Sequence, residues 1–295
     1  VIFMDDKEQK FKTYRSLSDM HRFRLRLFAE GILTGIFAGI VISFFRFALS
    51  EMEYLRGALY NRLWVSDWSI NACWFAVLIA IAFILHKLNC IEPMAAGSGI
   101  PQVKGAILGL MKMRWLHILW VKLTAGIIGI GAGLSLGREG PSIQLGAVAA
   151  QGVSRLMGRT RMEERYLLTS GASAGLAAAF NAPLAGVIFA LEELHRNFSI
   201  MVLLPSMAAA FTATIISRAI FGRATIFDIP DLQLLPISYY GIVILVALAS
   251  GLAGVIFNWG LLNIGRFYSL PCFKRPVQKI SLCPHLRRYF GLLPA

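Results

Sequence analysis

The sequence predicts an all-α, polytopic membrane protein, and three observations carry that prediction. Hydrophobic residues make up 57% of the 295 residues and charged residues only 15%, against about a quarter charged in a soluble globule. Uncharged windows recur at 31–45, 68–85, 123–137, 140–154, 166–191, 198–217 and 232–265. A bilayer-crossing helix needs roughly 20 apolar residues, so the longer windows read as full spans and the shorter ones as tilted or partial spans. Finally, Gly and Pro interrupt the apolar runs in mid-chain. Irregular backbone at membrane depth is tolerated only where it is buried in protein or lines a cavity.

Each element follows in order. Residues 1–27 read as a basic, amphipathic cytoplasmic segment. A first span covers 28–49, with Arg46 near its outer end, and a second covers 68–87. The stretch 89–117 is loop-like at Glu92-Pro93 and at 97–101, then half-helical. A third span, 118–135, contains Lys122. A short helix follows at 141–157, then a polar cluster from Arg159 to Arg165. Two short helices, 166–180 and 183–194, are broken at Asn181-Ala182-Pro183. A full span at 200–221 and a long one at 237–265 complete the set, and residues 268–295 read as the cytoplasmic start of a further helix. Ten of the sixteen residues 171–186 are Gly or Ala, which lets helices approach closely in lipid.

The net charge of +13 does not indicate a nucleic-acid partner, because of where it lies. Lys10, Lys12, Arg15, Arg22, Arg24 and Arg26 precede the first span, and Arg266, Lys274, Arg275, Lys279, Arg287 and Arg288 follow the last. The loops near 51–67 and 222–231 are mixed or acidic. Positive charge marks cytoplasmic flanks, so both ends are expected inside and those two loops outside. Residues 1–27 are too polar for a cleavable signal peptide. Cys73, Cys90, Cys272 and Cys283 form no CxxC and have no ligand-spaced His pair. They read as small, inert thiols, and neither a metal nor another cofactor is implied.

The run Gly137-Arg138-Glu139-Gly140-Pro141 sets a carboxylate between two uncharged stretches. An ionised group at membrane depth is costly and points to function. The glycines let the backbone bend and approach a partner closely, and Pro141 suits the first turn of a helix. Glu139 is therefore expected at the amide-rich start of a helix, which favours anions. Gly97-Ser98-Gly99-Ile100-Pro101 repeats this logic and adds a hydroxyl donor. Two such helix starts converging on one point would hold an anion through oriented amides and Ser98, without a full positive charge. That suits transport, which needs binding weak enough to release.

Two further stretches stand out. Glu192 and Glu193 end an apolar helical run from Phe180; adjacent helical residues point about 100° apart, so the two carboxylates face different surroundings. Gly171-Ala172-Ser173-Ala174-Gly175 fits the nucleophile-elbow pattern of hydrolases, but that motif needs a strand-turn-helix setting with His and acidic partners. Here it lies in an apolar helical run, so the chain is not read as an enzyme.

Taken together and in this order, the runs 97–101, 137–141 and 180–186 leading to Glu192-Glu193 resemble those of the CLC family of chloride channels and chloride/proton exchangers. The resemblance implies a CLC-type fold of tilted and broken helices over 28–267, comprising the first of two inverted repeats plus one to two following helices. It implies chloride transport, either by a chloride/proton antiporter or by a passive channel. In the first case chloride would sit at Ser98, Gly99, Ile100 and Gly140. Glu139 would be the outer gating and proton-carrying glutamate, and Glu193 the inner proton glutamate. Glu192, Arg138 and the buried cation Lys122 would support the site. Helices 183–194 and 200–221 resemble the family's homodimer interface. The family's second-repeat helix start and inward-facing tyrosine are not found in this sequence. A second chain supplying that half, or a fragment that only assembles with a partner half, is a further expectation. The partners implied are chloride, protons and membrane lipid, and the setting a multi-pass protein of the plasma membrane with a cytoplasmic N-terminus.

Overall fold

The computed structural model describes residues 6–63, 68–196, 198–222, 236 and 239–268. Regular structure among them is entirely helical. The elements are α1 (Asp6–Leu63), α2 (Trp68–Ile91), a short 3₁₀ turn (Pro93–Ala95), α3 (Ile100–Ile107), α4 (Trp115–Gly131), α5 (Glu139–Leu156), α6 (Arg161–Phe180), α7 (Pro183–Phe189), α8 (Ile200–Phe221) and α9 (Tyr240–Tyr268). A wide π turn, Ala190–His195, extends α7. Four helices contain stretches long and apolar enough to cross a membrane: residues 21–63 of α1, α2, α8, and residues 240–263 of α9. The chain divides into two compact units, Val1–Ile226 and Phe227–Ala295. In the second unit α9 is the principal described element, an uncharged helix as far as Gly265.

Helix boundaries differ from the sequence expectation at α1 and at α6. The expected outer loop at 51–67 is helical through Leu63, and α1 runs unbroken from Asp6. Charges at Glu51, Glu53 and Arg56 suggest a loop, but Glu, Met, Leu, Arg and Ala are all good helix formers. Arg56 ties this C-terminal end of α1 down by donating to the Ile130 carbonyl at 2.9 Å. Helix α6 starts at Arg161 rather than 166, because Thr160 and Glu163 form a reciprocal capping box that satisfies two otherwise orphan donors. The polar cluster is thus the first turn of a helix, not a separator. Cys73 is a free, exposed thiol.

Small residues set the packing. Gly31, Gly35 and Gly39 of α1 face the α8 backbone at Pro205, Ala209 and Ala213; a methyl on Gly35 would lie 2.5 Å from the Ala209 carbonyl oxygen. Helices α5 and α6 cross as tightly, with a methyl on Gly146 lying 2.2 Å from the Gly171 carbonyl oxygen. This is small-residue packing of the kind that drives helix association in lipid. Two apolar cores result. One joins Met94, Val103, Ile118, Ile143 and Leu168 around α3–α6. The other joins Ile42, Phe45, Leu145, Ala149 and Ala178 beside α1. The first of these cores joins α3 to α5.

Candidate functional site

The starts of α3 and α5 meet. Gly99 is the residue before α3 and is left-handed, at φ +89°, a conformation that glycine adopts at little cost. Gly97 is also left-handed, at φ +70°. Two consecutive turns of this kind bring Ser98 against the first turn of α5. A methyl on Gly140 would lie 2.4 Å from the Ser98 carbonyl oxygen and 2.9 Å from its Cα. Neither helix start carries a side-chain cap. An uncapped first turn leaves backbone N–H groups without intrahelical partners, and these carry the positive end of the helix dipole. Ser98 and Glu139 are both exposed. Chemically, backbone amides at two such helix starts can seat an anion, with Ser98 and Glu139 the neighbouring residues.

The loop behind this seat is held from three helices. Lys122 of α4 is buried and its ammonium donates to the carbonyls of Ala95 at 2.9 Å and Gly97 at 2.6 Å. Gln144 of α5 donates to Met94 O at 2.7 Å, and Gln102 of α3 donates to Ala96 O at 2.9 Å. Lys122 therefore does more than supply a field: it fixes two backbone carbonyls. The Arg138 carbonyl accepts from the Ser142 hydroxyl at 2.7 Å and the Ser142 N–H at 3.2 Å, stiffening the first turn of α5.

Glu193 is paired. Its carboxylate accepts from the Lys104 ammonium of α3 at 3.0 Å. Both lie outside the four apolar spans. The Lys104 hydrogen bond, then its charge, hold the Glu193 carboxyl below the usual carboxylate range. Glu192 is exposed beside it. Sequence reasoning missed Lys104, although it is the one charge in residues 93–111. It also missed Gln102 and Gln144. Gln144 carried a usable signal, since a glutamine in an uncharged membrane helix needs a partner. No group of three or more His, Cys, Asp or Glu able to hold a metal occurs among the described residues.

Comparison with known proteins is consistent in direction. Residues 75–288 match the family model described as voltage gated chloride channel. The H(+)/Cl(-) exchange transporter ClcA of Vibrio cholerae is 34% identical over 238 residues, covering 77% of this chain and 50% of that protein. Among solved structures, a slow cyanobacterial Cl-/H+ antiporter superposes with a TM-score of 0.71 at 29% identity, covering 92% of this chain and 64% of that one. A CLC-type fluoride/proton antiporter superposes at 0.65 with 25% identity, covering 82% of this chain and 59% of that one. The chain spans about half the length of the curated relative it matches. With the ordered motifs on converging helix starts, an all-α membrane fold and a family match over most of its length, the chain belongs to the voltage gated chloride channel, or CLC, family.

Proposed function

We propose that this chain provides the first half of a chloride/proton antiporter. The observation that carries the proposal is the contact of Ser98 with Gly140 at two uncapped helix starts. Chloride would be held by the Ser98 hydroxyl and the amides near Gly99, Ile100 and Gly140. Glu139, exposed beside that seat, would occupy it as a carboxylate and leave it when protonated. Glu193 would exchange protons at the inner side, and its pairing with Lys104 would keep it ionised between transfers. Lys122, Arg138 and Glu192 would support these groups.

The setting proposed is the plasma membrane, with the N-terminus cytoplasmic, as the flanking basic residues favour. The protein would act as a homodimer through helices α7 and α8. In an inverted-repeat transporter the site lies between the repeats, so completing the seat requires a second half from the same protein or from a second chain. A carboxylate at Glu193 favours exchange over passive conduction.

The test is flux into liposomes. The complete protein should drive protons uphill when given a chloride gradient. Chloride flux with no proton movement would mean a channel, and overturn the antiport reading. Residues 1–295 alone should insert without coupled exchange. Coupled exchange by that chain alone would mean that two copies complete the pore.

A further inference from the structure

We infer that Gln144 and Gln102 are positioning residues that set anion selectivity by locking the backbone loop behind Ser98. The inference rests on the chloride-seat reading above.

Four consecutive carbonyls, those of Met94, Ala95, Ala96 and Gly97, each receive a side-chain donor. Lys122 supplies two of these donors and the glutamines one each. A carbonyl oxygen carries negative charge, so any of the four turned toward the seat would repel an anion. Each donor removes that possibility by holding its carbonyl within the protein. Fixing the carbonyls also fixes the peptide planes that follow, and hence the direction of the amides at the start of α3.

Gln144 has a second contact. A methyl on Gly99 would lie 2.5 Å from its Oε1 and 2.7 Å from its Cβ, so the side chain is the wall behind that glycine. Its amide orientation is decided by Met94: flipped, two carbonyl oxygens would face each other. Oε1 itself is buried with no hydrogen-bond partner. Oε1 of Gln102 and of Gln151 is likewise unpartnered among the described residues, so it is the Gly99 contact that distinguishes Gln144. That contact makes its side chain a spacer that holds the loop at a fixed distance from α5. Gln144 also lies one turn beyond Glu139 and Gly140 on α5. One rigid helix thus carries the gate, one wall of the seat and the clamp on the opposite loop. Seats of this kind discriminate anions through fixed donor positions, and a loosened seat accommodates larger, weakly hydrated anions.

The experiment compares chloride and nitrate flux in the complete, reconstituted protein for Gln144→Met, Gln102→Met and the control Gln151→Met. Gln151 is an equally buried glutamine on α5 whose amide donates to Glu164 at 2.7 Å, away from the loop. Both clamp variants should lower the chloride-over-nitrate ratio about threefold or more and raise the half-saturating chloride concentration, with Gln144→Met the larger. The control should lower thermal stability without moving the ratio. Gln102 is only half-buried, so its variant reports even where Gln144→Met fails to fold. An unchanged ratio in Gln102→Met, or an equal change in the control, would overturn the inference while leaving the chloride seat intact. A wild-type protein without saturable chloride flux would overturn the seat itself.

Discussion

Helices α5 and α6 are neighbours packed backbone to backbone, yet their N-termini are built in opposite ways. At α6, Thr160 and Glu163 exchange hydrogen bonds: the Thr160 N–H and hydroxyl donate to Glu163 Oε2 at 3.0 and 2.9 Å, and the Glu163 N–H donates back at 3.4 Å. Arg26 of α1 donates to the same carboxylate, and Arg159 pairs with the buried Glu30 of α1 at 2.7 Å. Glu163 and Arg159 are each paired with a residue of α1. At α5, no side chain caps the first turn, Glu139 has no ion pair within 4 Å among the described residues, and the Ser98 backbone packs against Gly140. The start of α6 closes a helix; the start of α5 leaves one open. The orphan amides that one end satisfies internally are left without a side-chain cap at the other, the end proposed above to receive chloride. The two starts are separated by the length of α5 and a short loop, and substitutions at one should behave differently from substitutions at the other.

The largest expected effect on stability is at the closed end. Glu163→Ala removes the cap acceptor and the Arg26 partner together. We expect a loss of about 2–3 kcal/mol, less than a fully buried pair would cost because Arg26 is half-exposed. Thermal unfolding in detergent would measure it, and the chloride-over-nitrate ratio of the folded protein should not change. A selectivity change in this variant would mean that the two ends are not independent.

Next in size is Gly140→Ala at the open end. The added methyl meets backbone, the Ser98 carbonyl oxygen and Cα, which cannot swing aside as a flexible side chain would. We expect a cost of about 1–2 kcal/mol from overpacking, with chloride binding lost through displacement of Ser98. Wild-type chloride affinity by calorimetry on the purified variant would remove Gly140 from the seat.

The contrast between the two ends was only partly legible in the sequence. Glu139 stood out because it and Arg138 are the two charges between long uncharged runs, and the glycines around them marked a break; both signals are local. The capping box was missed because Thr160 and Glu163 sat inside a cluster of charges that reads as a loop, although Ser/Thr followed three residues later by Glu is a helix start signal. The α1–α8 contact had a local signal too, Gly31, Gly35 and Gly39 at four-residue spacing. What was not legible is partnership at a distance. Gln144 with Met94, Lys122 with Gly97 and Lys104 with Glu193 join residues separated by between 25 and 89 positions. No periodicity encodes such pairs, since they follow from how the cores bring α3, α4, α5 and the end of α7 together.

A smaller effect is expected from pH at the closed end. Burial raises the Glu163 carboxyl, but the Thr160 backbone and hydroxyl hydrogen bonds, then Arg26 and Arg159, outweigh it and leave the group below the usual carboxylate range. A carboxyl depressed in the folded state stabilises above its unfolded pKa, and that contribution is lost as pH falls through the folded value. Wild type should therefore lose melting temperature below about pH 5, and Glu163→Gln should show a flatter acid limb. Parallel acid limbs would mean that the depression is absent.

The smallest effect on stability belongs to Glu139→Gln, although its effect on transport should be complete. Glu139 is exposed and lacks an ion pair, so its loss should shift stability by no more than about 0.5 kcal/mol, as for other surface substitutions. The amide has nearly the shape of a protonated carboxyl but neither accepts a proton nor competes with chloride as an anion. Chloride flux through the complete protein should persist while proton movement stops. This pairing of outcomes sharpens the contrast with Glu163, where neutralisation lowers stability and leaves transport selectivity alone. Proton transport that continues in Glu139→Gln would mean that the open start of α5 seats an anion without gating it, and the proton path would have to be sought from Glu193 by another route.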